Sequence, residues 1–151
     1  MRYIAPIAVA LVASCWTAAA AEVLAGPYRA EIMRVIDGDT VEARIRIWLG
    51  LDLTTHIRIR DIDAPEMKGD CPEAAAASRD ALAHLLAGGS VSIANIKHDK
   101  YGGRIDAALT LPNGQDVGTA MRESGHAIPW PHPKGESPCS TAQPGGNAAR
   151  P

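Results

Sequence analysis

The chain has 151 residues, enough for one domain with a real core. Its formal net charge is −2, which excludes the broad positive field of a tight nucleic-acid binder. Any phosphate ligand must therefore be held by local charge, with a metal to help.

Met1-Arg2 is a short basic start, Ile4 to Trp16 is apolar but too short to span a bilayer comfortably, and Ala18 to Ala21 offers Ala-x-Ala cleavage sites. Residues 1–21 read as a signal peptide, so an exported protein, periplasmic or secreted, is expected. Val12-Ala13-Ser14-Cys15 also resembles a bacterial lipobox, which would make Cys15 a lipidated N-terminus. Leaving out Arg2, the 15 Lys+Arg fall to 14 against 17 Asp+Glu, a net charge of −3. Two cysteines remain, Cys71 and Cys139. An even pair in an exported chain suggests one disulfide, with free thiols or metal ligation as the alternatives.

Tyr28 to Ile36 is a first strand, and Asp37-Gly38-Asp39 is a turn. Thr40 to Ile47 then alternates, with Val41, Ala43, Ile45 and Ile47 on one face and Glu42, Arg44 and Arg46 on the other. Trp48 to Asp52 is a hairpin tip. Leu53 to Arg60 is a third strand, and Pro65 ends the extended run that delivers Arg58, Asp63 and Glu66 to one end of a sheet. Cys71-Pro72-Glu73 opens a helix that runs to about Leu86 and stops at Gly88-Gly89. Ser90 to Ile96 and Arg104 to Leu111 are the fourth and fifth strands. Asp116 caps a short helix through Glu123, closed by Gly125. From Pro129 on, proline and glycine dominate, and irregular or disordered chain is expected. The order suits a five-stranded Greek-key barrel of the oligonucleotide/oligosaccharide-binding (OB) type, mainly β with helices, with an open α+β sheet as the rival.

Three segments carry chemistry. They are Asp37-Gly38-Asp39-Thr40-Val41, Arg58 to Glu66 (Arg-Ile-Arg-Asp-Ile-Asp-Ala-Pro-Glu), and Lys100-Tyr101-Gly102-Gly103-Arg104. One guanidinium and two carboxylates at the end of a strand suit a phosphate and a divalent cation. This set, in this order, resembles the staphylococcal nuclease (thermonuclease) family, over Tyr28 to about Trp130. The resemblance implies a calcium-dependent phosphodiesterase that cleaves DNA and RNA, single-stranded or frayed, and acts as a monomer. It makes residues 22–130 the nuclease domain and 131–151 a Pro/Gly-rich tail.

Carried over by residue, Asp39 and Asp63 become calcium ligands and Ala64 supplies a backbone carbonyl. Asp37 and Thr40 stand beside the metal. Glu66 orients or deprotonates the attacking water, Arg58 and Arg104 hold the phosphate, and Tyr101 lies near the substrate. The chemistry agrees: calcium takes carboxylate, carbonyl and water oxygens, and guanidinium donates paired bonds to phosphate.

The chain departs from the family pattern in places. Two glycines separate Tyr101 from Arg104, either as a bulge that keeps Arg104 aimed inward or as an insertion that misplaces it. Asp61 stands where many relatives have Gly, the Trp48 hairpin is longer, and the family's long final helix is missing, with Cys139 available to pin the tail to Cys71. Arg44, Arg46 and Arg60 read as solvated strand faces, and His56, His84 and His126 as non-ligands. Trp48, Leu49 and Leu51 form an exposed tip, and Trp130 reads as a core lid. The alternative function is a catalytically silent barrel that binds nucleic acid or a protein partner.

Overall fold

The computed structural model describes residues 22–140, so the predicted leader with Cys15 and the last part of the tail lie outside the described residues. Three strands follow the predicted alternation: β1 (Tyr28–Val35), β2 (Thr40–Trp48) and β3 (Leu51–Ile59). In β2, Val41, Ala43 and Ile45 are buried while Arg44 and Arg46 are exposed, as a period of two requires of a strand with one wet face. β2 pairs with β3 from Thr40↔Arg58 to Trp48↔Leu51, so the hairpin extends further than predicted and only Leu49-Gly50 turns.

After β3 come the short strand β4 (Ile62–Asp63), helix α1 (Pro72–Leu85), β5 (Ser90–His98) and β6 (Arg104–Thr110). β6 lies antiparallel to β5 and parallel to β3, and β5 pairs antiparallel with β1. The sheet therefore closes in the order β1-β2-β3-β6-β5, the OB-type barrel, and the open-sheet alternative is ruled out. Its interior is filled by Val41, Ile45, Ile57, Ile59, Ile93, Ala107 and Leu109, each at most 1% exposed. Closure leaves the barrel without sheet edges, and the parallel β3–β6 contact sets the end of β3 beside the start of β6.

Helix α1 has proline in its first turn and buries Ala74, Ala75, Ser78 and Leu82. Helix α2 (Val117–Glu123) is capped as predicted: Asp116 Oδ1 accepts from the Thr119 N–H at 2.7 Å. No helix among the described residues is long and apolar enough to cross a membrane.

The tail corrects the expectation of wholly irregular chain. A short strand, β7 (Ile128–Pro129), pairs with β4 through Ile62↔Pro129 and Asp63↔Ile128. Trp130 N–H then donates to the Asp61 carbonyl at 3.0 Å, and Asp61 itself adopts a left-handed φ of 62°, which Asp tolerates better than most residues. A 3₁₀ turn at Pro138–Ser140 carries Cys139, which is disulfide-bonded to Cys71 at a Cα separation of 5.7 Å. The bond spans 68 residues of sequence. Closing such a loop stabilises the fold by about 4 kcal/mol on the chain-entropy account. Trp130 is not a core lid: it is 48% exposed.

Candidate nucleic-acid cleavage site

The turn between β1 and β2 is fixed twice. The Asp37 carboxylate accepts from the Asp39 N–H at 3.2 Å, an Asx turn. Gly38 is required for space: a Cβ there would lie 1.9 Å from Ser78 Oγ and 2.7 Å from Ala64 Cβ. Ser78, on α1, packs over Gly38 from behind and donates its hydroxyl to the His126 carbonyl at 2.6 Å, which ties α1 to the segment after α2.

The clamp sinks Asp39 into the protein at 3% exposure. Its carboxylate accepts from Thr40 Oγ1 at 2.8 Å, from Arg58 Nη1 at 2.6 Å and from the Ala64 N–H at 3.2 Å. Burial pushes the Asp39 carboxyl up to about 6 and Asp37 adds to the rise, while Arg58 pulls against it. Arg58 also donates Nη2 to Asp63 Oδ1 at 3.1 Å and to the Ile62 carbonyl at 3.4 Å. One guanidinium thus bridges both predicted ligands. Burial works against its charge, but the Asp39 and Asp63 carboxylates outweigh burial and hold its pKa above the ordinary value.

Asp39 and Asp63 share the Arg58 guanidinium, Asp37 stands beside Asp39, and the oxygens of these carboxylates are hard donors. That composition fits a calcium- or magnesium-like cation. Among the described residues no three His, Cys, Asp or Glu side chains form a ready cage. Asp39 and Asp63 would therefore hold such a cation together with backbone oxygen and water. Ala64 is engaged with Asp39 through its N–H.

The opposite wall is the loop between β5 and β6. Gly102 and Gly103 both take left-handed φ values, 72° and 68°, with open space around them. They form the hairpin turn itself. The bulge in this pair of strands lies instead between Ala94 and Lys97, around Asn95 at φ 53°. The extra glycine is thus absorbed before β6 begins, and Arg104 still lines the cleft with Arg58, Asp63 and Glu66. The cleft holds about 420 Å3. Asp99 was not singled out by the sequence. It is buried, accepts from the Tyr101 N–H at 2.9 Å and pairs with Arg104 Nε, which leaves both Arg104 Nη groups available. Burial pushes the Asp99 carboxyl up, but Tyr101 N–H and Arg104 more than offset it and hold it below the usual value. The spacing of Asp99 and Tyr101, an Asx turn ahead of two glycines, is a signal that could have found it.

Glu66 is exposed at the cleft, with no side-chain partner among the described residues. Tyr101 is 75% exposed, with Lys100 Nζ 4.7 Å from its ring centroid. Trp130 joins the lining from the tail, and His132 reaches Asp63. Proline-rich sequence carries no periodicity that would have placed either. The residues read as bystanders stay outside: Arg44 pairs with Glu31, Arg46 with Asp52, and Arg60 with the Asn95 carbonyl. His56 sits 3.9 Å from Glu42, and His84 is exposed. His126 Nδ1 is buried with no hydrogen-bond partner among the described residues.

The chain is 35% identical over 107 residues to an Escherichia coli protein named an uncharacterized endonuclease, covering 70% of this chain and 63% of that one. A counterpart of the same name in Escherichia coli O157:H7 is 34% identical over 107 residues. A micrococcal nuclease of Shigella flexneri is 34% identical over 91 residues, 58% of this chain and 48% of that one. The chain thus spans less than two thirds of the length of the curated relatives it matches. No protein-family model matches it.

Proposed function

Taking as premise that the chain belongs to the staphylococcal-nuclease-like family, we propose that it is an exported nuclease that hydrolyses phosphodiester bonds in DNA and RNA by attack of water. The observation that carries this reading is the convergence of Arg58, Asp63, Glu66 and Arg104 on one cleft. Asp39 and Asp63 hold the divalent cation, calcium in the first instance. When bound, the cation polarises a phosphoryl oxygen and offsets its charge.

Glu66, with no protein partner among the described residues to compete for its carboxylate, takes a proton from the attacking water. Arg104, held through Nε by Asp99, presents its two Nη groups to the phosphate in the forked geometry that Lys cannot match. Arg58 adds a second guanidinium, and its hydrogen bonds to Asp39 and Asp63 hold both carboxylates in place. These donors matter most as negative charge gathers on the equatorial oxygens. Tyr101 and Trp130 offer exposed rings on which unpaired bases stack, which favours single-stranded or frayed substrate. The disulfide is of the kind an oxidising compartment sustains, in keeping with export.

A second reading, a barrel that binds nucleic acid without cutting it, draws on one observation: both arginines are already engaged by carboxylates. An activity gel on DNA and RNA, run with calcium and with EGTA, separates the two. Calcium-dependent clearing supports the nuclease. No clearing with any divalent cation leaves the binding module.

A further inference from the structure

Both ends of the segment from Ile128 to Cys139 are fastened, one by β7 pairing with β4 and the other by the disulfide to Cys71. Between these anchors, His132 packs against Asp63 with 17% of its side chain exposed. Trp130 meets the imidazole edge-on, with ring centroids 5.2 Å apart. Both ring nitrogens face acceptors: Nδ1 lies 3.2 Å from the Pro133 carbonyl and Nε2 lies 3.3 Å from Asp63 Oδ2. A carbonyl oxygen only accepts, so Nδ1 carries its proton toward Pro133, and Nε2 is the ring atom turned toward Asp63 Oδ2.

We propose that His132 Nε2 and Asp63 Oδ2 are two ligands of a mixed nitrogen–oxygen site for a first-row transition cation of the Mn2+ to Zn2+ series, assembled by the disulfide-fastened tail. The inference rests on the reading of Asp63 as a cation ligand of the nuclease. Three features carry it. Ligands each about 2.1 Å from a tetrahedral zinc stand about 3.4 Å apart, and the observed separation is 3.3 Å. An Nδ1–H donated to a backbone carbonyl is the usual support of a metal-bound histidine and leaves Nε2 free to ligate. Arg58 takes Asp63 Oδ1, which leaves Oδ2 to the imidazole side. Calcium gains little from a nitrogen ligand, whereas imidazole suits zinc, nickel and cobalt.

The test is calorimetric titration of the metal-free, oxidised protein with Mn2+, Zn2+ and Ca2+, alongside pulsed EPR of the Mn2+ complex to read 14N coupling. His132→Ala is expected to weaken Mn2+ and Zn2+ on the order of tenfold to a hundredfold and to remove the nitrogen coupling. Calcium affinity should change by less than about twofold, because that ion prefers oxygen. Reduction and alkylation of Cys71 and Cys139 should reproduce the His132→Ala loss. Unchanged Mn2+ and Zn2+ affinity in His132→Ala, or no nitrogen coupling in the wild type, overturns the proposal and makes His132 an imidazolium partner of Asp63. In that case a loss of calcium binding in Asp63→Asn keeps the nuclease reading alive. A His132-dependent zinc site in a protein that cuts no nucleic acid with any cation keeps this proposal and ends the nuclease reading.

Discussion

Two arginine–carboxylate assemblies stand on the barrel, and they are built differently. On the outer face of β1 to β3, Arg44 pairs with Glu31 and Arg46 with Asp52, one for one, with side chains 34% to 60% exposed. At the cleft, Arg58 is shared between Asp39 and Asp63 at side-chain exposures of 22%, 5% and 22%. Asp37 adds charge there, and Glu66 has no partner among the described residues. The outer pairs neutralise each other in water and contribute little to stability. Around Arg58 the carboxylates are more buried and two of them share one guanidinium, an arrangement found where charge is met from outside. Arginine and carboxylate content alone does not distinguish the two; burial and stoichiometry do.

Replacing the arginines one at a time tests that contrast most sharply. In metal-free buffer near neutral pH, Arg58→Ala removes the cation paired with buried Asp39, whose carboxyl then rises further from about 6 and takes up a proton, and denaturant unfolding should show a loss of roughly 2–3 kcal/mol. Arg44→Ala should leave the unfolding midpoint close to that of wild type. Equal losses would mean that Asp39 does not depend on Arg58.

Turnover gives the next contrast. Glu66→Ala and Arg104→Ala should each lower single-turnover cleavage by about a hundredfold to a thousandfold, the first as loss of a general base and the second as loss of a transition-state donor. The double variant should lose less than the product of the two, because the residues act on one transition state. Arg44→Ala serves as the control. An Arg104→Ala variant that cleaves as fast as Arg44→Ala removes Arg104 from the mechanism.

Gly38→Ala probes the clamp behind Asp39. The new methyl meets Ser78 and Ala64, and overpacking of this kind costs about 1–3 kcal/mol. A thermal midpoint equal to wild type would show that α1 does not press on the turn.

The smallest expected effect is the acid limb of stability set by Asp99. Its carboxyl is held below the unfolded value of about 3.9, so its contribution is present above that pH and lost as pH falls through the folded value. Wild type should therefore exceed Asp99→Asn in stability at neutral pH, and the gap should close below about pH 4. Urea midpoints that keep a constant gap down to acid pH would mean that Asp99 is not held by Arg104.

The barrel was legible from β2 and β3 because alternation and turn chemistry are local, and a strand with one buried face cannot hide its period. Asp37, Asp39, Arg58, Asp63, Glu66 and Arg104 were legible through the likeness of their three segments to the nuclease family. Their charge state was not. Asp39 is buried because Ser78, on a distant helix, needs the space over Gly38, and Arg58 is shared because β4 returns Asp63 to it. The sequence suggested the Cys71–Cys139 bond by parity, but it could not say that the tail would pair with β4 or set His132 against Asp63. Proline-rich chain has no period to read, and its path is decided by β4 and the disulfide, which exist only once the barrel has closed. The strands and the motif residues thus follow from the sequence alone. Which carboxylates are buried, which arginine is shared and which ring faces the site follow from contacts between segments far apart in the chain.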